Sequence, residues 1–182
     1  MPWNSFGRST IFAALAALVV SAWLPLAAPL FGGRLALMLY LAAVIAIYVT
    51  GLGPSRMRGL RAGLVTAVLG CGLVLVARTL GEIALGLAVL LAAARSGFFY
   101  RSPPARAFAV EATLVIVGLL FARFLAGSSI ASVMLAVWGF LLVQSLFFLV
   151  GGVRARSASS AHRDPFDAAH QRAVLLLDRD GI

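Results

Sequence analysis

Six long apolar runs constrain the fold of this chain more than any other feature. A helix that crosses the hydrocarbon core of a bilayer needs about 20 consecutive, mostly apolar residues. The runs cover residues 11–30, 35–52, 61–79, 82–100, 107–127 and 128–152. The sequence therefore predicts an all-α integral membrane protein, in which residues 1–152 form a bundle of six transmembrane helices.

The overall composition agrees with a membrane protein. Of the 182 residues, 62% are hydrophobic and 12% are charged, and the mean hydropathy is +1.03. A soluble domain carries about 25% charged residues. So much apolar surface does not fit inside the core of a small domain, and we expect the lipid bilayer to be its main partner.

The distribution of arginine predicts the orientation of the chain. All fifteen basic residues are arginine. Twelve lie in segments that face one side under the six-span interpretation, and three (Arg34, Arg78 and Arg123) face the other. Because arginine concentrates on the cytoplasmic side of membrane proteins, we expect both termini in the cytoplasm. The net charge of +9 then reflects topology, and we predict no nucleic-acid partner.

The absence of lysine indicates either a GC-rich coding bias or contacts that require arginine, and the first, preferred interpretation predicts a bacterial protein of the inner membrane. The single cysteine, Cys71, lies within an apolar run, so we expect neither a disulfide framework nor a metal site. The histidines, His162 and His170, are both near the C-terminus, and no motif for a catalytic residue or a cofactor is present. The sequence predicts a protein that is not an enzyme.

The fourth run gives the weakest evidence for a span. Its uncharged part, residues 83–94, is too short to cross the hydrocarbon core. It reaches the required length if the side chain of Arg95 extends to the membrane surface and residues 98–100 form the interfacial end.

Glu111 is an acidic residue inside the fifth run, about one turn from the predicted cytoplasmic boundary. A carboxylate in the membrane usually faces protein or water. Glu111 shares a narrow helix face with mostly small residues, including Gly118 and Ala122, and small residues are typical of close helix contacts. We therefore expect Glu111 to point into the bundle or into a subunit contact.

Three interpretations of Glu111 remain open. The preferred one is an ion pair with Arg95 or Arg106 that fixes the turn between the fourth and fifth helices. The second is a proton-linked or cation-linked site, or recognition of a cationic partner. The third is an extension of the side chain to the membrane surface. Arg123 is excluded as a partner, because it lies about 18 Å farther along the helix axis.

Other residues indicate contacts between helices. Gln144 and Ser145 form a polar pair in the sixth run, where an interhelical hydrogen bond is favoured over a substrate contact. Small-residue ridges that indicate close helix approach are predicted at Ala13, Ala17 and Ser21, and at Ala62, Thr66 and Gly70.

Residues 153–182 differ from the rest of the chain, with a polar hinge followed by a short amphipathic helix. Asp164 and Pro165 suit the start of this helix. The residues that share its apolar face are Phe166, His170, Ala173, Val174 and Leu177. This helix either lies on the membrane or the bundle, or it docks on a protein partner. Its near-neutral charge favours the protein partner.

Two functions are consistent with these features. The preferred one is a non-catalytic structural or assembly subunit of a membrane complex or homo-oligomer, with the C-terminal helix as the docking element. The alternative is a small transporter, or the substrate-binding membrane subunit of one, in which Glu111, Gln144 and Tyr40 or Tyr48 line a path. Transporters usually place several polar groups on broken helices, which this sequence does not indicate.

Overall fold

The computed structural model describes residues 6–99 and 104–150, and side chains within residues 6–98 and 108–149. The described residues form helices joined by short links, and they contain no strand. The helices are α1 (Phe6–Phe31), α2 (Gly33–Leu52), α3 (Arg56–Val76), α4 (Leu80–Phe99), α5 (Pro104–Leu125), α6 (Ile130–Ser145) and the short α7 (Phe147–Val150). Within the described residues, six helical stretches are long and apolar enough to cross a membrane. The prediction of an all-helical fold with six such helices is confirmed.

The helices alternate in direction, because the links between them are short. Helix α1 packs against α2 and α6, α5 packs against α6 and α4, and α4 packs against α2. These contacts close a ring of five helices, and α3 packs on α2 and to a smaller extent on α4. Helix α2 has the largest share of buried residues among the six long helices, and half of its twenty residues are buried. We call the end of the bundle at which α1 begins the first end, and the other the second end.

Helix α1 begins five residues before the predicted run and ends one residue after it, and it contains two prolines. A proline such as Pro25 or Pro29 cannot donate the backbone hydrogen bond of a helix, and it usually kinks or ends the helix. The helix nevertheless extends to Phe31. The indole nitrogen of Trp23 donates a hydrogen bond of 2.8 Å to the carbonyl of Ala36, which ties this end of α1 to α2.

Glycine produces the closest contact in the bundle, between α2 and α3. The residues of α3 that are buried against its neighbours include Gly59, Gly63, Thr66 and Gly70. A Cβ atom on Gly59 would overlap the backbone carbonyl of Thr50, and one on Gly63 would overlap the Thr50 hydroxyl. The predicted ridge thus included Thr66 and Gly70 of this seam but missed Gly59 and Gly63. Ala62, which the ridge also included, is half-buried.

The ridge predicted on α1 is buried in part. Ala13 and Ala17 are 0% and 7% exposed, whereas Ser21 is half-buried and donates a hydrogen bond to the carbonyl of Leu18 in its own helix. The hydroxyl of Tyr40 donates to the backbone carbonyl of Ala16, at the same level. The first two ridge residues therefore lie in the interior, and the third makes only a local bond.

We predict that Gly59→Ala destabilises the bundle by about 1–3 kcal/mol, because a methyl group there forces two packed backbones apart. The matched control is Gly72→Ala on the same helix. No atom lies within 4 Å of a Cβ built on Gly72, and replacing glycine by alanine in a helix gains up to about 1 kcal/mol. Melting temperatures in detergent, measured by size-exclusion chromatography after heating, test the pair. Equal melting of Gly59→Ala and the wild type would contradict the prediction.

Candidate functional site

A layer of buried polar side chains crosses the bundle near its first end. Its members, called the polar layer below, are Ser9 of α1, Tyr48 of α2, Arg95 of α4, Glu111 of α5 and Gln144 of α6. Each lies three to seven residues from the end of its helix, counting α7 with α6, which corresponds to a depth of about 5–10 Å. Five helices thus place polar groups at a similar level.

An ion pair between α4 and α5 forms the centre of the polar layer. The Nη2 atom of Arg95 lies 2.8 Å from Oε2 of Glu111. Arg95 is 0% exposed and Glu111 is 4% exposed. The predicted extension of Arg95 to the membrane surface is therefore wrong, and so is the same interpretation of Glu111. Arg95 turns inward because its acceptors lie on the neighbouring helices.

Gln144 connects this ion pair to α6. The Nη1 atom of Arg95 donates to the backbone carbonyl of Gln144 at 3.0 Å, and Nη2 donates to its side-chain Oε1. The amide nitrogen of Gln144 donates to the carbonyl of Leu114 in α5 at 3.0 Å. Helix α6 ends at Ser145, so the Gln144 carbonyl is among the last four carbonyls of the helix. These carbonyls accept no hydrogen bond from an N–H group within the helix. The end of α6 thus supplies an acceptor for the guanidinium.

An aromatic ring completes the surroundings of Arg95. The guanidinium carbon lies 5.0 Å from the ring centroid of Phe147, in the short helix that follows α6. This distance is typical of a cation–π contact, which is stronger where water is excluded. Phe147 is only 1% exposed. Its ring both stabilises the charge and seals it from solvent.

A hydrogen bond joins the remaining two members of the polar layer. The hydroxyls of Ser9 and Tyr48 lie 2.6 Å apart and connect α1 to α2. The rings of Phe12 and Tyr48 pack with centroids 5.3 Å apart. Helix α2, which carries Tyr48, packs against α4, which carries Arg95, so the two parts of the layer lie on neighbouring helices.

The small face of α5 makes room for Gln144. A Cβ atom on Gly118 would lie 2.8 Å from Nε2 of Gln144 and 3.2 Å from the ring of Phe140. Glycine at this position therefore allows the amide to reach the backbone of α5. Ala122, one turn farther on, is half-buried.

The described structure brings together three of the five polar residues that the sequence singled out, namely Arg95, Glu111 and Gln144. Ser145 is buried but donates its hydroxyl to the Leu142 carbonyl of its own helix at 2.7 Å. The side chain of Arg106 lies outside the described residues. So do the docking residues predicted in the tail, which are Phe166, His170, Ala173, Val174 and Leu177.

Ser9 and Phe147 also belong to this site, although the sequence did not indicate either residue. Ser9 could have been found by its depth, because it lies about as far from the first end as Tyr48 and Arg95 do. Phe147 gave no comparable signal, since it is one of twelve phenylalanines in an apolar chain.

The chemistry of the polar layer is that of a neutral, internally paired cluster. The charges of Arg95 and Glu111 cancel, and both ends of the Gln144 amide are hydrogen-bonded. Oε1 of Glu111 accepts no hydrogen bond from the described side chains. No group of three histidine, cysteine or acidic residues that could hold a metal occurs in the described part of the chain.

An open apolar cleft lies at the second end, away from the polar layer. It has a volume of about 510 Å³ and is lined by residues of α1, α2, α4 and α6. Arg34, at the start of α2, is its one charged lining residue. The cleft and the polar layer therefore occupy opposite ends of the bundle.

Comparison of the chain with protein families, characterised proteins and solved structures finds no match.

We predict that Arg95→Met destabilises the bundle by about 3–5 kcal/mol, because it leaves the Glu111 carboxylate buried without a counter-charge. The double variant Arg95→Met/Glu111→Gln removes both charges and should recover much of this loss. Arg123→Met, at an exposed position, is the control and should stay within about 0.5 kcal/mol of the wild type. Melting temperatures of the four proteins in detergent provide the test. A double variant no more stable than Arg95→Met would show that the pair does not act as a unit.

Proposed function

We propose that this protein is a multi-pass protein of the bacterial inner membrane that acts as a non-catalytic structural or assembly subunit of a larger membrane complex. The observation that carries this proposal is the pairing of Arg95, Glu111 and Gln144 across three helices, in which Oε1 of Glu111 is the one carboxylate oxygen without a contact to Arg95 or a hydrogen bond among the described residues. Arg95, Glu111 and Gln144 use their charges and hydrogen bonds to hold α4, α5 and α6 together. A substrate site would instead need polar groups that are available to a ligand.

Insertion into a membrane is supported by the apolar surface of the bundle. Many large apolar side chains are exposed on the outward faces of the helices, including Leu75 at 87% and Phe124 at 83%. A soluble protein rarely exposes large contiguous patches of this kind. Lipid tails are the natural environment for such a surface.

The proposed orientation places the first end in the cytoplasm. Arg8, Arg56, Arg58 and Arg61 are exposed near this end, whereas Arg34, Arg78 and Arg123 are exposed near the second end. Glu82, near the second end, accepts a hydrogen bond of 2.7 Å from the backbone of Arg78 and offsets part of the positive charge there. The excess of arginine at the first end favours the cytoplasmic side.

We predict that single cysteines at the two ends react from opposite sides of the membrane. In a Cys71→Ser background, Arg58→Cys should be protected from a membrane-impermeant maleimide in intact cells and should react after lysis. Arg34→Cys, near the second end, should react in intact cells. The degree of labelling, read by a gel shift, measures both. The opposite pattern would reverse the orientation, and labelling of both in intact cells would reject it.

A transporter is the less well supported alternative. The cleft at the second end is almost entirely apolar, and Arg34 is its one charged residue. Glu111 and Gln144, which a transport path would use, are at the other end and are paired with Arg95. These positions favour a structural role for the polar layer.

The proposed docking element is the C-terminal helix, and its support comes from the sequence. An amphipathic helix with an apolar face and little net charge is suited to a groove on a protein partner. In the predicted helix, Val174 lies on the apolar face, and Ala168 lies on the opposite face by helical spacing.

We predict that deletion of residues 161–182 releases a protein that co-purifies with the full chain in mild detergent. Val174→Asp should weaken this association at least tenfold, because it places a charge on the apolar face, whereas Ala168→Asp should leave it unchanged. Quantitative mass spectrometry of the purified complex measures the ratio of partner to bait. Persistence of every partner after the deletion would exclude the docking role.

A further inference from the structure

The outward face of α3 combines exposed apolar residues with exposed arginines. Met57, Leu64, Val68 and Leu75 recur at helical spacing and are 62%, 59%, 71% and 87% exposed. They lie opposite the glycine seam that packs against α2. This face therefore forms an apolar stripe that runs along the helix from the first end toward the second.

Two arginines stand at the first end of this stripe. Arg58 and Arg61 are both exposed and are three residues apart, so their Cβ atoms are neighbours on the helix surface at about 5–6 Å. Arg61 follows Met57 by four residues and precedes Leu64 by three, which places it within the stripe. Both guanidinium groups can therefore reach one anion located above the apolar residues.

No acidic group in the described structure balances these charges. Helix α3 contains no acidic residue. The one ion pair among the described side chains joins Arg95 to Glu111 inside the bundle. Glu82 lies near the second end. The positive charge of Arg58 and Arg61 is thus directed outward.

We propose that the outward face of α3 is a binding site for an anionic phospholipid. The phosphate of the lipid lies between Arg58 and Arg61, and one acyl chain follows Leu64 and Val68 along the helix. Guanidinium groups bind phosphate through paired hydrogen bonds, and basic residues beside a membrane attract anionic lipids. This inference rests on the proposal that the bundle spans a membrane, and it adds a specific lipid site on one helix.

The arrangement favours a lipid over a free phosphate ion. A free anion would use the two arginines alone, and nothing in that interaction would require Leu64 or Val68. A phospholipid uses both features, because its acyl chain is attached to its head group and can lie along Leu64 and Val68, which follow Arg61 on the same face of the helix.

The test compares lipid retention by the full-length protein in mixed micelles that contain equal amounts of phosphatidylglycerol and phosphatidylcholine with the same acyl chains. Native mass spectrometry counts the lipids that remain bound. We expect the wild type to retain the anionic lipid preferentially, and we expect each arginine removed to reduce this preference roughly fivefold. Arg58→Gln/Arg61→Gln should therefore show little preference.

The matched control is Arg34→Gln/Arg123→Gln, which removes the same charge from the second end and should keep the preference. The proposal is overturned by equal retention of both lipids by the wild type, by an unchanged preference in Arg58→Gln/Arg61→Gln, or by an equal loss in the control. It is also overturned if inorganic phosphate displaces the retained lipid completely, because the site would then be a simple anion site.

Two further measurements keep the outcome interpretable. Unchanged melting temperatures show that the variants are folded, and Arg58→Lys/Arg61→Lys, which keeps the charge, should restore part of the preference. Resistance of the wild type to extraction from membranes by alkaline carbonate tests insertion separately. A protein that resists extraction but shows no lipid preference would refute the lipid site and leave the proposed membrane function intact.

Discussion

The buried charge of Arg95 is the constraint on which one end of this bundle depends. A guanidinium without solvent is costly unless its charge and its donors are satisfied. Here Glu111 supplies the counter-charge, Gln144 supplies two acceptors, and Phe147 covers the group with its ring. These partners belong to three segments other than α4, so a shift of one helix by a single residue, about 1.5 Å along its axis, would break several contacts together. The polar layer therefore fixes the register of α4, α5 and α6, which apolar packing alone would leave less specific.

Close packing at glycine residues, not a polar contact, holds α2 and α3 together. Gly59 and Gly63 allow the two backbones to approach until no room remains for a methyl group. Such close packing gains dispersion contacts along the seam, which suits helices in an environment where apolar surfaces have no water to avoid. The bundle thus combines polar contacts between α4, α5 and α6 with close glycine packing between α2 and α3. The two kinds of contact occur in different places, since the side of α3 that faces α2 is rich in glycine and carries no acidic residue.

The sequence predicted the helices well, because the length of an apolar run and the breakers beside it are local properties. It also placed Glu111 toward the interior, since the small residues of its face could be read from helical spacing. Of the two roles that it gave Arg95, the ion pair with Glu111 is present, whereas the extension to the membrane surface is wrong. Position along a helix gives depth but does not give direction round the bundle, and that direction depends on which helices are neighbours. The same limitation explains why Phe147 was missed and why Gly59 and Gly63 were not distinguished from the other glycines.

The two kinds of arginine near the first end have separate consequences. Arg95 is neutralised inside the bundle, so it contributes little to the electric field outside. Arg58 and Arg61 are exposed without an acidic neighbour in the described structure, and with the exposed Arg56 they make the first end of α3 positively charged. Removing an interior charge should change folding, whereas removing a surface charge should change what the bundle attracts. Because the polar layer is buried, we place the interaction with lipid on the outer surface of the bundle and protein docking on the C-terminal helix.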